Sequence, residues 1–213
     1  MDAYTQILIM DLSFSELKDL VFNASMGSNL PAGICEDLSF GVTFLESRSL
    51  PGGKELLYSL KCDRHPPVSP KKNGASLIFS NARSIFEGLS AIDFLVSEAC
   101  ESVVLENIDS SMLLVGLASN YYGLSFCFYK NKEICAALLN DQLNWKNDNY
   151  IRSNDIEIRL NNSKRGDPLA KRSRILLDEN VFKELSNLAS NMLVPESELS
   201  RKMGAGAGNI DND

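Results

Sequence analysis

The apolar residues of this chain change their period twice, and that change most narrows what it can fold into. From Phe14 to Leu89 they recur three and four apart, the spacing of one helix face. From Ile92 to Leu177 they alternate or run in short β-branched blocks, and from Val181 to Met192 the helical spacing returns. Helices, then mostly antiparallel strands, then a helix is the element order of an α+β fold. At 213 residues the chain suits a single domain with a core of its own. We divide it into a helical N-terminal subdomain over 12–60, a loop or linker over 61–74, an α+β body over 75–193 and a glycine-rich, acidic tail over 194–213. No internal repeat is visible.

The first helix is the best specified. Ser13 and Glu16 have capping-box spacing, and Leu12 and Leu17 sit where a hydrophobic staple closes over them. A helix from Phe14 to about Met26 follows, ended by a left-handed Gly27. Pro31 suits the first turn of a second helix, in which Ile34, Leu38, Val42 and Leu45 share a face and Gly41 lets another backbone approach closely. Leu50-Pro51-Gly52-Gly53 turns the chain into a third helix, Lys54 to Leu60.

Ile78, Ala82, Ile85 and Leu89 predict a helix over 75–88. Ile92, Phe94 and Val96 alternate as in a strand, and Val103 to Leu105 is a second strand. Met112 to Ala118 and Leu124 to Tyr129 flank a turn-forming stretch and predict a hairpin, with Glu133 to Leu139 as a further strand. Asn and Asp make 140–154 turn-rich. Residues 155–160 read as a half-buried or edge strand, 164–174 as a basic loop and Ile175 to Leu177 as a last strand. Asp178 then caps a final helix stopped by Pro195.

Composition excludes several classes of function. A formal charge of -7 repels nucleic acid and anionic lipid, so neither is expected as a partner. Five cysteines at irregular spacings read as reduced thiols. The N-terminus lacks a basic region and a long apolar run, so it is not read as a signal peptide, and no apolar run approaches the roughly 20 residues that span a bilayer. The expected compartment is cytoplasmic.

Two stretches carry a family pattern. One is LSFSELKDLVFNASMGSNLPAGICEDLSFGVTFLESRSLPG; the other is the tail VPESELSRKMGAGAGNIDND, in which Pro195, Ser197, Glu198, Ser200, Arg201, Gly204 to Gly208, Asp211, Asn212 and Asp213 fit. Together they resemble the uncharacterised bacterial domain of unknown function numbered 3726, with Ser49 standing where the family-like turn has Gly. The resemblance implies a bacterial origin and no particular reaction. Because such sequences begin near the L-S motif, Met10 rather than Met1 is a candidate native start. The helical order of the first sixty residues also looks like the N-terminus of the malate/L-lactate dehydrogenase family that lacks a Rossmann fold, whose serine-histidine-glycine signature has no counterpart here.

The tail is the richest candidate site. Its Gly-Ala run lacks the spacing and strand-to-helix context of a dinucleotide-binding loop. Gly204, Gly206 and Gly208 can instead lie close to another surface and offer N–H groups to an anion. Asp211, Asp213 and the terminal carboxylate can bind a hard cation or arginines of the same or a neighbouring chain, while a frayed, solvated tail is the plain alternative. Ser200 and Arg201 complete the candidate set there.

Elsewhere, Glu36 and Asp37 are either paired carboxylates for acid–base work or acids favoured by a helix dipole. Cys35 reads as packing rather than as a thiolate. Cys62 and His65, the only histidine, make half a metal site, so no metal is expected. Lys164, Arg165, Lys171, Arg172 and Arg174 concentrate positive charge that could receive a phosphate, a carboxylate or the tail.

Two functions follow from these features. The first is a small-molecule-binding or accessory protein whose ordered tail docks in a groove of a homodimer mate or a partner enzyme. The second is a metabolic enzyme acting on a small anionic substrate, in which Arg201 holds the anion, the tail completes the site, and Asp211 or a helical acid is the base. The scarcity of histidine and paired cysteine favours the first.

Overall fold

Ser13 starts the first helix as its spacing requires. In the computed structural model, which describes residues 8–62, 67–146, 155–161 and 167–192, the Glu16 N–H donates to the Ser13 hydroxyl (3.2 Å) and the Ser13 N–H to the Glu16 carboxylate (2.7 Å), opening α1 (Phe14–Gly27). Helices α2 (Ala32–Glu46) and α3 (Gly52–Lys61) follow, with Pro31 at the cap of α2 rather than inside its first turn.

Gly27 is not the left-handed stop. That conformation falls at Asn29, φ 61°, and Gly27 is small for another reason: a Cβ there would lie 1.9 Å from the Leu188 carbonyl oxygen of the last helix. Ser49 has φ 64°, the region where glycine is least strained, which explains why a glycine suits this turn.

Most strands form one mixed sheet of β2 (Lys71–Asn73), β3 (Ser76–Ser80), β4 (Ser102–Glu106), β5 (Ser125–Lys130), β6 (Glu133–Leu139), β7 (Gln142–Trp145) and β8 (Ile156–Leu160). Their order is β2-β3-β4-β8-β5-β6-β7, antiparallel except for β3 beside β4. A separate two-stranded sheet pairs β1 (Ile9–Leu12) with β9 (Ile175–Asp178), and α6 (Glu179–Ser190) follows, its Asp178 cap accepting from the Asn180 N–H (2.7 Å). This element content bears out the α+β expectation.

Three local expectations are corrected. Residues 75–88 do not form a helix. A hairpin turns at Gly74 (φ 61°) into β3, whose pairing with β4 satisfies the backbone, and helical structure resumes only as a π-turn over Ser84–Gly88. In that turn the Glu87 carboxylate accepts from the Arg83 N–H (2.9 Å) and guanidinium, holding the wide loop closed. The alternating segment 92–96 belongs to α4 (Leu89–Val96), with Ile92 and Leu95 buried on one face.

The predicted first hairpin arm is α5 (Ser111–Ala118), started by the Ser110 hydroxyl accepting from Leu113 N–H (3.1 Å). Every residue of α5 is buried, and a helix buried all round has no amphipathic period to read. The hairpin partner of β5 is β6, through Asn131 and Lys132, both at positive φ. Of the two readings of β8, the half-buried one holds, with Ile156 and Ile158 buried and Leu160 exposed, and its place between β4 and β5 removes the edge alternative.

Helices α4 and α5 pack on the sheet, and α2 and α3 pack over α5, with α1 against α2 and α6. One buried apolar cluster runs from Leu17 and Val21 of α1 through Met112 and Leu113 of α5 to Phe126 and Phe128 of β5. A small cluster of Cys127, Ile134 and Ala137 with Tyr129 is separate from it. No described helix is long and apolar enough to cross a membrane.

The tightest approach is where α2 crosses α5. A Cβ at Gly41 would lie 2.8 Å from the Gly116 carbonyl carbon, and one at Gly116 would lie 2.7 Å from the Gly41 oxygen. Here the close approach expected at Gly41 is found.

Candidate functional site

The glycine crossing also builds a cleft. Asp37 lies one helical turn before Gly41, and Asn120 one turn's length after Gly116, so bringing the glycines together brings these side chains together. The Asn120 amide donates to the Asp37 carbonyl (3.0 Å) and to its carboxylate (3.3 Å). Beside them, α1, α2, the end of α5, the β6–β7 turn and the approach to β9 enclose about 500 Å³.

Positive charge and aromatic faces dominate the walls. Lys18 Nζ sits 3.8 Å over the Phe40 ring, and Lys171 Nζ 6.0 Å from the centre of the Phe14 ring. Among the described residues neither ammonium is ion-paired with a carboxylate. Arg48 lies deeper: its guanidinium stacks 3.6 Å over Phe44 and donates to the Phe44 carbonyl (3.1 Å), the Ser47 hydroxyl (2.9 Å) and the Asp141 carbonyl. Burial pulls its pKa down against the opposing pull of Asp141.

Two polar atoms of this wall, Thr43 Oγ1 and Arg48 Nε, are buried without a hydrogen-bond partner. A helical threonine hydroxyl commonly bonds the carbonyl three or four residues back, and Thr43 does not. Buried polar groups are usually satisfied, so these two enclosed atoms are departures from the rule in the cleft wall.

Burial pushes the Asp37 carboxyl above its usual range; the Asn120 hydrogen bond opposes this, and the charges of Asp93 and Glu36 add to it. The cleft therefore combines two ammonium groups without a carboxylate partner among the described residues, exposed aromatic surface and a carboxyl whose charged form burial disfavours. It can neutralise an anion and cover a flat apolar body.

Of the residues singled out from sequence, Asp37 lines this cleft, while Glu36 is exposed beside it and acts on Asp37 through space. Cys35 is fully buried, its thiol donating to the Leu30 carbonyl (3.5 Å) and pushed up by burial, which is the packing role. The basic run divides: Lys171 lines the cleft, Arg174 pairs with Asp11 (2.6 Å), and the Arg172 N–H donates to the Ser47 carbonyl (2.7 Å). Ser200, Arg201, Gly204, Gly206, Gly208, Asp211 and Asp213 lie outside the described residues, as do His65, Lys164 and Arg165.

Sequence reasoning missed Lys18, Thr43, Phe44, Arg48, Asn120 and Asp141. For Arg48 a signal existed, since it opens the R-S-L-P-G turn. Lys18, four residues after Phe14, looks like any solvated helix position until α2 is laid beside it.

Residues 12–84 match the model of a family described as Protein of unknown function (DUF3726). The match contains Lys18, Asp37, Thr43 and Arg48 and ends before Asn120, Asp141 and Lys171. No curated protein matches the chain. Among solved structures, malate dehydrogenase from Entamoeba histolytica aligns at 9% identity and TM-score 0.43 over 62% of this chain and 44% of that one. Malate dehydrogenase from Pyrococcus horikoshii OT3 aligns at 10% and 0.45 over 60% and 42%. Sulfolactate dehydrogenase from Methanocaldococcus jannaschii aligns at 11% and 0.44 over 85% and 67%. The alignments span less than half the length of the two malate dehydrogenases, and likeness at this level assigns no function.

Proposed function

We propose that this chain, whose residues 12–84 match the model of the DUF3726 family, is a small-molecule-binding protein whose cleft between α1 and α2 takes an organic anion with a flat apolar body. The observation that carries this reading is the pair Lys18 and Lys171. Each ammonium sits at an aromatic face of one cleft with no carboxylate partner among the described residues. A carboxylate or phosphate placed between them gains charge-assisted hydrogen bonds, and Phe40 and Phe44 cover the apolar part. Small-molecule sites have this make-up, mostly apolar with a few convergent polar groups.

The test is a thermal-shift screen of aromatic and aliphatic carboxylates and phosphate monoesters on the wild type and on Lys18→Glu and Lys171→Glu. A ligand present at about 100 times its Kd adds about 2.7 kcal/mol of stability, which a melting curve resolves. The expected result is stabilisation that weakens with added salt and is lost in both variants. A panel silent on the wild type, or a ligand that stabilises the reversed variants equally, overturns the reading.

A second reading makes the C-terminal residues the anion. Asp211 and Asp213 have the complementary charge, and the last described turn lies against the end of α1, where the Asn191 amide donates to the Gly27 carbonyl (3.4 Å). At ~3.3 Å per residue the residues after Met192 are long enough to reach back along α1, which is about 21 Å long. Removing residues 204–213 then raises the affinity of the cleft for a small acid. Unchanged affinity after the deletion rejects a tail that occupies the cleft.

A further inference from the structure

On the other side of the C-terminal turn of α2 lies a second cleft, of about 660 Å³, between α3 and α6. Its floor is Glu46, only 8% exposed. One carboxylate oxygen accepts from the Gly53 N–H (2.8 Å). The other, Oε2, has no hydrogen bond among the described residues, and Glu46 lines the cleft. A carboxylate this deeply placed, half satisfied by backbone and half open to a cleft, has one unfilled place for a donor.

The rim carries the opposite charge. Lys54 and Arg172 line the same cleft, and neither is ion-paired among the described residues, whereas Lys61 is taken by Glu184 and the Asp178 carboxylate caps α6. Between floor and rim the wall is apolar, from Leu50, Leu57, Leu177 and Val181. A carboxylate at the bottom, two cations at the mouth and an aliphatic wall between them match a molecule with a cation at one point, an anion at another and an apolar branch.

We propose that this second cleft binds a zwitterion, an α-amino acid with an apolar side chain, its ammonium on Glu46 Oε2, its carboxylate toward Lys54 and Arg172 and its side chain against Leu57 and Val181. This site is separate from the anion cleft and stands whether or not that one is occupied. Glu46 is a binding group here, and no covalent step is involved.

The Gly53 N–H reports on the site, because it bonds the same carboxylate. We would titrate the full chain with leucine, methionine and phenylalanine to about 10 mM, a range that detects Kd values near 1 mM, and follow the Gly53 amide by NMR. The expected result is a saturable Gly53 shift, with affinity reduced about tenfold or more in Glu46→Gln and in the Lys54→Ala, Arg172→Ala double variant. Glu46→Gln keeps the acceptor for Gly53, so loss of binding there is not loss of fold. The matching amine without its carboxylate, and the acid without its amine, should each bind about tenfold more weakly. The first cleft is read separately, by the thermal shift with an acid and its loss in Lys18→Glu, so failure of this site and failure of the first are distinguishable. No Gly53 shift with any amino acid, unchanged affinity in Glu46→Gln, or equal binding of the amine alone overturns the proposal.

Discussion

The crossing of α2 and α5 makes a single methyl group informative. In Gly41→Ala the new Cβ would sit 2.8 Å from the Gly116 carbonyl carbon and 3.0 Å from its oxygen and from the Leu117 nitrogen. All three are backbone atoms, so no side chain can swing aside. Ordinary contact begins near 3.4 Å, and the helices must separate by about 0.5 Å.

Overpacking of this kind costs about 1–3 kcal/mol. Alanine returns about 1 kcal/mol in a helix interior, leaving a net loss of up to about 2 kcal/mol and a melting temperature lower by up to about 8 °C. Gly33 in the same helix has nothing within 4 Å of its Cβ position, so Gly33→Ala keeps only the favourable part, a gain of up to about 1 kcal/mol. Urea denaturation of both variants measures the contrast. A Gly41→Ala protein as stable as Gly33→Ala would refute the backbone contact and the placement of Asp37 against Asn120 that rests on it.

Other expectations follow from single residues. Ser49→Gly relieves a left-handed serine and should stabilise the fold by about 1 kcal/mol, read from the urea midpoint; a destabilised variant argues against φ 64°. Burial raises the Glu46 carboxyl from 4.5 to about 7, against the Gly53 hydrogen bond and Arg172. Its folded form thus holds a proton that the unfolded chain has released. That stabilisation is fully present below about pH 4.5 and is lost as the pH rises through about 7, amounting to about 3 kcal/mol at most. Glu46→Gln should therefore be the more stable protein at about pH 8 and lose that advantage near pH 5; parallel pH–stability curves would contradict a buried, destabilised carboxylate.

Legibility followed the origin of each element's stability. Helices α1 to α3 and α6 carry their own signals, the Ser13–Glu16 box, Pro31, Pro51 and the Asp178 cap, together with one apolar face each. They were readable because what holds them lies within a few residues of sequence. Helix α5 and strand β3 are decided by what surrounds them. Met112 to Ala118 is apolar on every side because every side is covered, and Leu77 to Phe79 becomes a strand because β4 lies parallel to it. In the candidate site, Asp37 drew attention as an acid early in a helix, and Lys171 as part of a basic run. Lys18, Thr43 and Asn120 come from three different elements, and nothing local to any of them announces that they face one space.

The hydrogen bond from the Arg172 N–H to the Ser47 carbonyl has a thermodynamic consequence. Residues 171 and 172 enter different clefts from successive positions of one segment, pinned at that bond to the turn of α2 that supplies Glu46 to one cleft and Arg48 to the other. The two cavities thus share a partition. An occupant that displaces the partition alters the affinity of the opposite cleft, and reciprocity then fixes the return effect: whatever factor an acid in the first cleft applies to an amino acid in the second, the amino acid applies to the acid.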